Sequence, residues 1–128
     1  PDTGHELASL RIPEWDTLLT LAASGLNGQN FAFVGYLPQD AAQRQTRLKQ
    51  LEQLAIKTGQ SQLWIETPYR NASMFEAALH TLQPNTRLCV ACGLTLADSQ
   101  VRTHTVAHWR QHQWMIGAKT HTVFALGV

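Results

Sequence analysis

The 128-residue sequence predicts a three-layer αβα domain built on a mixed, mainly parallel five-stranded sheet. Two observations carry that expectation. Short runs rich in branched and aromatic residues alternate with segments whose apolar residues recur at helical spacing, and Gly, Pro or Asn punctuates nearly every change from one to the other. The length suits one domain able to close its own core, without room for a second of full size.

Taken in order, Pro1 to Pro13 is short and mixed, with a brief helical candidate from Glu6 to Leu10. From Glu14 to Leu26 the residues Leu18, Leu19, Leu21, Ala22 and Leu26 keep a helical stripe, and Gly25 supplies a stop. Asn27-Gly28 turns the chain into a strand, Phe31 to Tyr36, which Pro38 ends. Asp40 can cap a long helix with Leu48, Leu51, Leu54 and Ala55 on one face, closed by Gly59. Arg44, Arg47, Lys49 and Glu52 fall on its other face and read as a solvated surface, with a phosphate-contacting patch as the second reading.

Leu63 to Glu66 is a buried strand, and Met74, Phe75, Ala78, Leu79 and Leu82 mark the helix after it. Two starts are open for that helix. Thr67 and Pro68 can be N-cap and first residue, leaving Arg70 with free backbone N–H groups at the crevice; or Ser73 and Glu76 form a capping box one turn later, with Arg70 in a loop. Arg87 to Cys92 is the next strand, Gly93 to Asp98 a loop, Val101 to Thr105 an outer half-exposed strand, Val106 to His112 a short helical turn, and Thr120 to Val128 a last strand ending the sheet.

The net charge of +1 and the pI near 8.4 lack the basic field of a dedicated nucleic-acid binder. Cys89 and Cys92 are too few for a disulfide framework and fit a reducing compartment; their odd separation in a strand sends them to opposite faces as buried small hydrophobes. No apolar run is long enough to span a bilayer and no leader precedes the first helix, so a soluble, cytoplasmic protein is expected. His104, His108 and His112 recur every four residues, but a change from strand to helix within that interval would spoil a common face, and no metal site is expected. The chain has no G-x-S-x-G elbow, Walker loop or G-x-G-x-x-G after a strand.

That leaves the stretch Glu66-Thr67-Pro68-Tyr69-Arg70. Open α/β sheets bind ligands beyond the carboxyl ends of their strands, which is where this acid and this base fall. A structural ion pair bracing the turn accounts for Glu66 and Arg70 equally well.

Ala23-Ser24-Gly25-Leu26, Phe33-x-Gly35-Tyr36-Leu37-Pro38, Glu66-Thr67-Pro68-Tyr69-Arg70 and Leu94-Thr95, in that order, resemble the C-terminal half of tetrapyrrole-methylase-like S-adenosylmethionine-dependent methyltransferases. The branch containing the small-subunit ribosomal RNA ribose 2′-O-methyltransferases is the most similar, and the likeness runs from about Thr17 to the C-terminus. The resemblance implies a cofactor cleft between two α/β domains, commonly in a homodimer. Carried over by position, Glu66, Thr67, Gly93, Leu94, Thr95, Thr122 and Val123 are cofactor-binding, largely through backbone groups, and Tyr69 and Arg70 are substrate-side. It assigns no catalytic residue. Pro1-Asp2-Thr3-Gly4 resembles part of the interdomain region, so residues 1–13 read as its remnant and 14–128 as the C-terminal methyltransferase domain. The family's N-terminal half, with its glycine-rich loop, is then a missing partner without which the fragment is inactive. The acceptor is RNA or a small molecule such as a tetrapyrrole. A non-catalytic module using Trp109, Trp114 and Met115 for dimerisation, or Arg44, Arg47 and Lys49 for RNA, is the alternative.

Overall fold

A computed structural model of the chain describes residues 22–23, 25–93, 100–112 and 121–128. Along the chain run β1 (Phe31–Tyr36), α1 (Ala41–Thr58), β2 (Ser61–Glu66), α2 (Asn71–Thr81), β3 (Arg87–Cys92), β4 (Gln100–Thr105), α3 (Val106–Gln111) and β5 (Thr122–Gly127). The strands form one five-stranded sheet in the order β1-β2-β5-β3-β4. The α/β class, the strand count and the mixed sheet agree with the sequence reading. The expectation of a mainly parallel sheet does not: β1 pairs with β2 in parallel, whereas β2 with β5, β5 with β3 and β3 with β4 all pair antiparallel.

Chain geometry accounts for the difference. The link from Cys92 to Gln100 is shorter than the dozen or so residues a parallel crossover needs, so β4 must return antiparallel to β3. β5 does not end the sheet but occupies its centre, with all six residues buried. Val123 to Gly127 is apolar without alternation, the pattern of a strand covered on both faces. β4, at the edge, alternates and is half exposed, as expected.

Even-numbered residues of β2, β3 and β5 face the three helices. Trp64, Leu88, Val90, Phe124 and Leu126 pack there against Leu48, Leu51 and Ala55 of α1, Met74, Phe75 and Ala78 of α2, and Val106 and Trp109 of α3. Trp64 stacks on Phe124 at 5.6 Å, and Phe75 meets Trp109 edge-on at 5.1 Å; such pairs contribute about 1 kcal/mol each beyond their buried area. Odd-numbered residues, Leu63, Ile65, Cys89, Ala91, Val123 and Ala125, form the opposite face, covered by the helical Ala22 and Ala23. Cys89 and Cys92 are both buried, and strand alternation separates them. Burial pushes the Cys89 thiol pKa up, against a smaller opposing hydrogen bond with Thr103, so it stays protonated and unreactive.

The helix ends follow their capping chemistry in α1. Asp40 accepts from the Gln43 N–H at 2.9 Å, and Gly59, at φ 75°, donates to the Ala55 carbonyl at 2.8 Å in the left-handed conformation that glycine adopts without steric cost. Two residues of α1 differ from expectation. Leu54 is 41% exposed, because six residues from Leu48 the helix has turned well off the buried stripe. Glu52, one turn from Leu48, takes that inward place and is 3% exposed. Its carboxylate accepts from the Gln83 N–H at 2.8 Å and the Thr86 hydroxyl at 2.5 Å, tying α1 to the turn before β3.

Trp109, assigned to an exposed interface by the alternative reading, is buried; its indole N–H donates to the Leu88 carbonyl at 2.8 Å. Trp114 and Met115 lie outside the described residues. Beside Trp109, the Arg110 guanidinium donates to the carbonyls of Leu79 and Leu82 at 2.8 and 2.9 Å, satisfying the carboxyl end of α2 and opposing its dipole.

Replacing Glu52 by Ala should cost about 2 to 4 kcal/mol in urea unfolding, since it strands two donors around a buried gap. Arg110→Ala should cost about 1 kcal/mol by the same measurement, and raise hydrogen exchange at the end of α2 before anywhere else.

Candidate cofactor-cleft wall

Because β5 runs against both neighbours, its first residue meets their last ones. Thr122 is in register with Glu66 on one side and Cys92 on the other, so three strands contribute to a single row at one end of the sheet. Register partners share a face, and this row lies on the helix-covered side with Trp64, Phe124 and Val90. Tyr36, at the end of β1, closes the same end beside Ile65.

The turn after Glu66 is built by its own side chain. The buried Glu66 carboxylate accepts from the Thr67 N–H at 2.8 Å and from the Arg70 Nε at 3.0 Å, an ion pair spanning one turn. Arg70 N–H donates to the Thr67 carbonyl at 3.1 Å, and the Arg70 carbonyl accepts the first bond of α2 from Met74. Neither cap expected from the sequence is used. α2 starts at Asn71, with Arg70 at the N-cap and no hydrogen bond from its side chain to the helix end. Asn71 turns inward instead and donates from Nδ2 to the Thr122 hydroxyl at 3.4 Å, joining the start of α2 to the centre of the row. The side chains of Glu66 and Arg70 therefore neutralise each other. What the turn offers a ligand is backbone, together with the Tyr69 ring, which is 95% exposed.

Of the residues predicted to bind cofactor, Glu66, Thr67, Gly93, Thr122 and Val123 gather at this sheet end. Gly93 follows Cys92 at φ 133°, a backbone angle that side-chain-bearing residues avoid. The Val123 side chain belongs to the opposite-face core, and its backbone lies within the ladder between Ile65 and Ala91. Leu94 and Thr95 lie outside the described residues. Tyr69 and Arg70 flank the row on the solvent side. Three residues that the sequence reading did not assign to the site also stand here: Tyr36, Asn71 and His121. His121 is half-buried just ahead of Thr122, and burial lowers its pKa, favouring the uncharged imidazole. Its adjacency to Thr122 was the available signal.

The basic residues of α1 are divided. Arg44 donates to the Gln39 carbonyl at 2.9 Å and to Ser73 at 3.3 Å, bridging α1 and α2 rather than facing outward. Arg47 and Lys49 line two shallow clefts of about 340 and 470 Å³ on the outer face of α1, neither of them lined by the row.

The histidines correct an expectation. The passage from strand to helix does not separate them: the His104 and His108 rings stack at 4.2 Å, and His108 and His112 lie 4.9 Å apart. Thr105 makes this possible. Extended itself, it accepts from the His108 N–H at 3.2 Å, so α3 begins directly over the ring of His104. Among the described residues, no three His, Cys, Asp or Glu side chains are arranged to hold a metal ion.

No protein-family model matches the chain. The ribosomal RNA small subunit methyltransferase I of Mesorhizobium japonicum is 30% identical to it over 95 residues, covering 74% of this chain and 31% of that protein. The chain thus spans about a third of the length of this curated relative. The crystal structure of the methyltransferase CobJ superimposes with a TM-score of 0.49 at 12% identity, covering 85% of this chain and 46% of that one. By its sequence relationship, the chain is a distant homologue, over part of its length, of a ribosomal RNA small subunit methyltransferase I.

Proposed function

We propose that this chain forms one wall of the cofactor and acceptor cleft of an S-adenosylmethionine-dependent methyltransferase. The distant homology to ribosomal RNA small subunit methyltransferase I carries the reading, and the gathering of Glu66, Thr67, Gly93, Thr122 and Val123 at one sheet end supports it. What this end offers a nucleoside cofactor is the backbone of two turns: the Thr122 hydroxyl is buried and bonded by Asn71, and the Glu66 carboxylate is neutralised by its own arginine, so no fixed charge competes. When bound, S-adenosylmethionine supplies an electrophilic methyl group on a sulfonium. The chain's part is to hold the turns at Glu66-Thr67 and Gly93 rigid, so that donor and acceptor stay in line and water is kept out; Leu94 and Thr95 are proposed cofactor contacts as well. Tyr69 and Arg70 face the acceptor, an RNA or a tetrapyrrole-like molecule. A hydroxyl acceptor needs a base for its proton, and none is assigned. The opposite wall belongs to a second α/β domain, and the working unit is a homodimer.

The alternative, a non-catalytic module, has lost its buried anchor Trp109 but keeps Arg47 and Lys49 beside open clefts for RNA. Calorimetric titration with S-adenosylmethionine distinguishes the two. The isolated chain should give little or no heat, while the product of the whole reading frame binds. Tyr69→Ala, at an almost fully exposed position, should leave folding and cofactor binding unchanged and lower methyl transfer by about tenfold, roughly the 1.4 kcal/mol of one lost stacking contact. Tight binding by the isolated chain, or none by the whole product, overturns the reading.

A further inference from the structure

At the sheet edge, where β4 passes into α3, three imidazoles lie ring against ring. His104 stacks on His108 at 4.2 Å with 24° between planes, His108 meets His112 at 4.9 Å, and the edge of His104 meets Trp109 at 4.8 Å. His104 is half-buried while His108 and His112 are exposed, so solvent protons reach the stack. Face-to-face rings direct their nitrogens sideways rather than toward one point, which suits stacking and not metal ligation.

The charge around the stack is one-sided. β4 supplies Arg102 and α3 supplies Arg110; Arg87 of β3 pairs opposite Thr105. α2, which packs on α3, adds His80 and one carboxylate, the exposed Glu76. Among the described residues β3, β4 and α3 carry no Asp or Glu. The charged groups acting on His104 are His108, Arg102 and His112, all cationic or able to become so. Among the described residues, the charged groups acting on His104 all oppose a proton added to it.

We propose that the histidine stack is an acid-sensitive clasp that holds α3 on the sheet edge while uncharged and lets it lift away on protonation. α3 is a short helix of six residues, held beside the stack by Val106 and Trp109 in the core, by Arg110 on the end of α2 and by backbone bonds from Val106 to Thr86 and from Ala107 to Pro84. It carries Trp109, which covers the core, and Arg110, which caps α2. Its release therefore uncovers apolar surface and frees the end of α2 together. Burial first, then the neighbouring cations, lower the His104 pKa from its ordinary value. The folded corner thus takes up protons less readily than the unfolded chain. Its stabilisation is complete above the ordinary histidine range and is lost as pH falls through the lowered pKa.

The test is NMR on the chain, following the exchange of the Trp109 indole N–H and the His104 ring resonances from neutral pH to about pH 5. The protection factor of the indole, corrected for intrinsic exchange, should fall by about tenfold or more. In His104→Phe, which keeps the ring contact but cannot protonate, it should stay level. The double variant His108→Gln/His112→Gln serves if His104→Phe does not fold: the His104 titration should move part of the way back up and the fall should shrink. Unchanged protection across the range, an equal fall in His104→Phe, or an unmoved His104 titration in the double variant overturns the clasp.

Discussion

The placement of β5 is the constraint from which the rest of the molecule follows. Both of its faces are apolar, so its burial is complete only between two other strands and beneath two other layers. Inserted antiparallel between β2 and β3, it brings the residue that opens one strand to the residues that close two others. A β5 parallel to β2 would put Thr122 at the end opposite Glu66; the antiparallel pairing is what sets the two side by side.

Three buried polar side chains each pin an element to this frame. Glu52 fixes α1 to the turn before β3, Asn71 fixes the start of α2 to Thr122, and Glu66 closes the turn between β2 and α2 on itself. Each is hydrogen-bonded, as a buried polar group must be if its desolvation is to be offset. For a cleft wall the consequence is that its conspicuous side chains are committed to architecture. What stays open there is backbone and the exposed Tyr69, and under the proposed function that suits chemistry needing rigid alignment more than a reactive side chain.

The two ends of the sheet have different characters. At the end formed by Glu66, Thr122 and Cys92, side chains are buried and charges are paired within the turn. At the other, where β4 delivers the chain into α3, histidines and arginines accumulate without a carboxylate on the same elements. The first end is built to hold its shape. The second holds three adjacent rings, of which His104 is kept below the ordinary histidine pKa by burial and by neighbouring cations.

Much of the local structure was determined by the sequence alone. Asp40 and Gly59 bracket α1 because capping is a property of a few neighbouring residues, and the half-exposed edge strand was legible from its alternation. Glu66 and Arg70 were recognisable as a pair from their spacing. Whether they faced a ligand or each other was decided by tertiary structure, because it depends on the inward turn of one carboxylate. The same holds for Glu52 and Trp109, whose partners lie on other elements, and for the three histidines, brought together by one extended residue between strand and helix. Asn71 and His121 join the site only because β5 runs antiparallel. Local pattern encodes which residues a segment buries; which segments then meet is set by competition among faces for a common core, and that is a property of the whole chain.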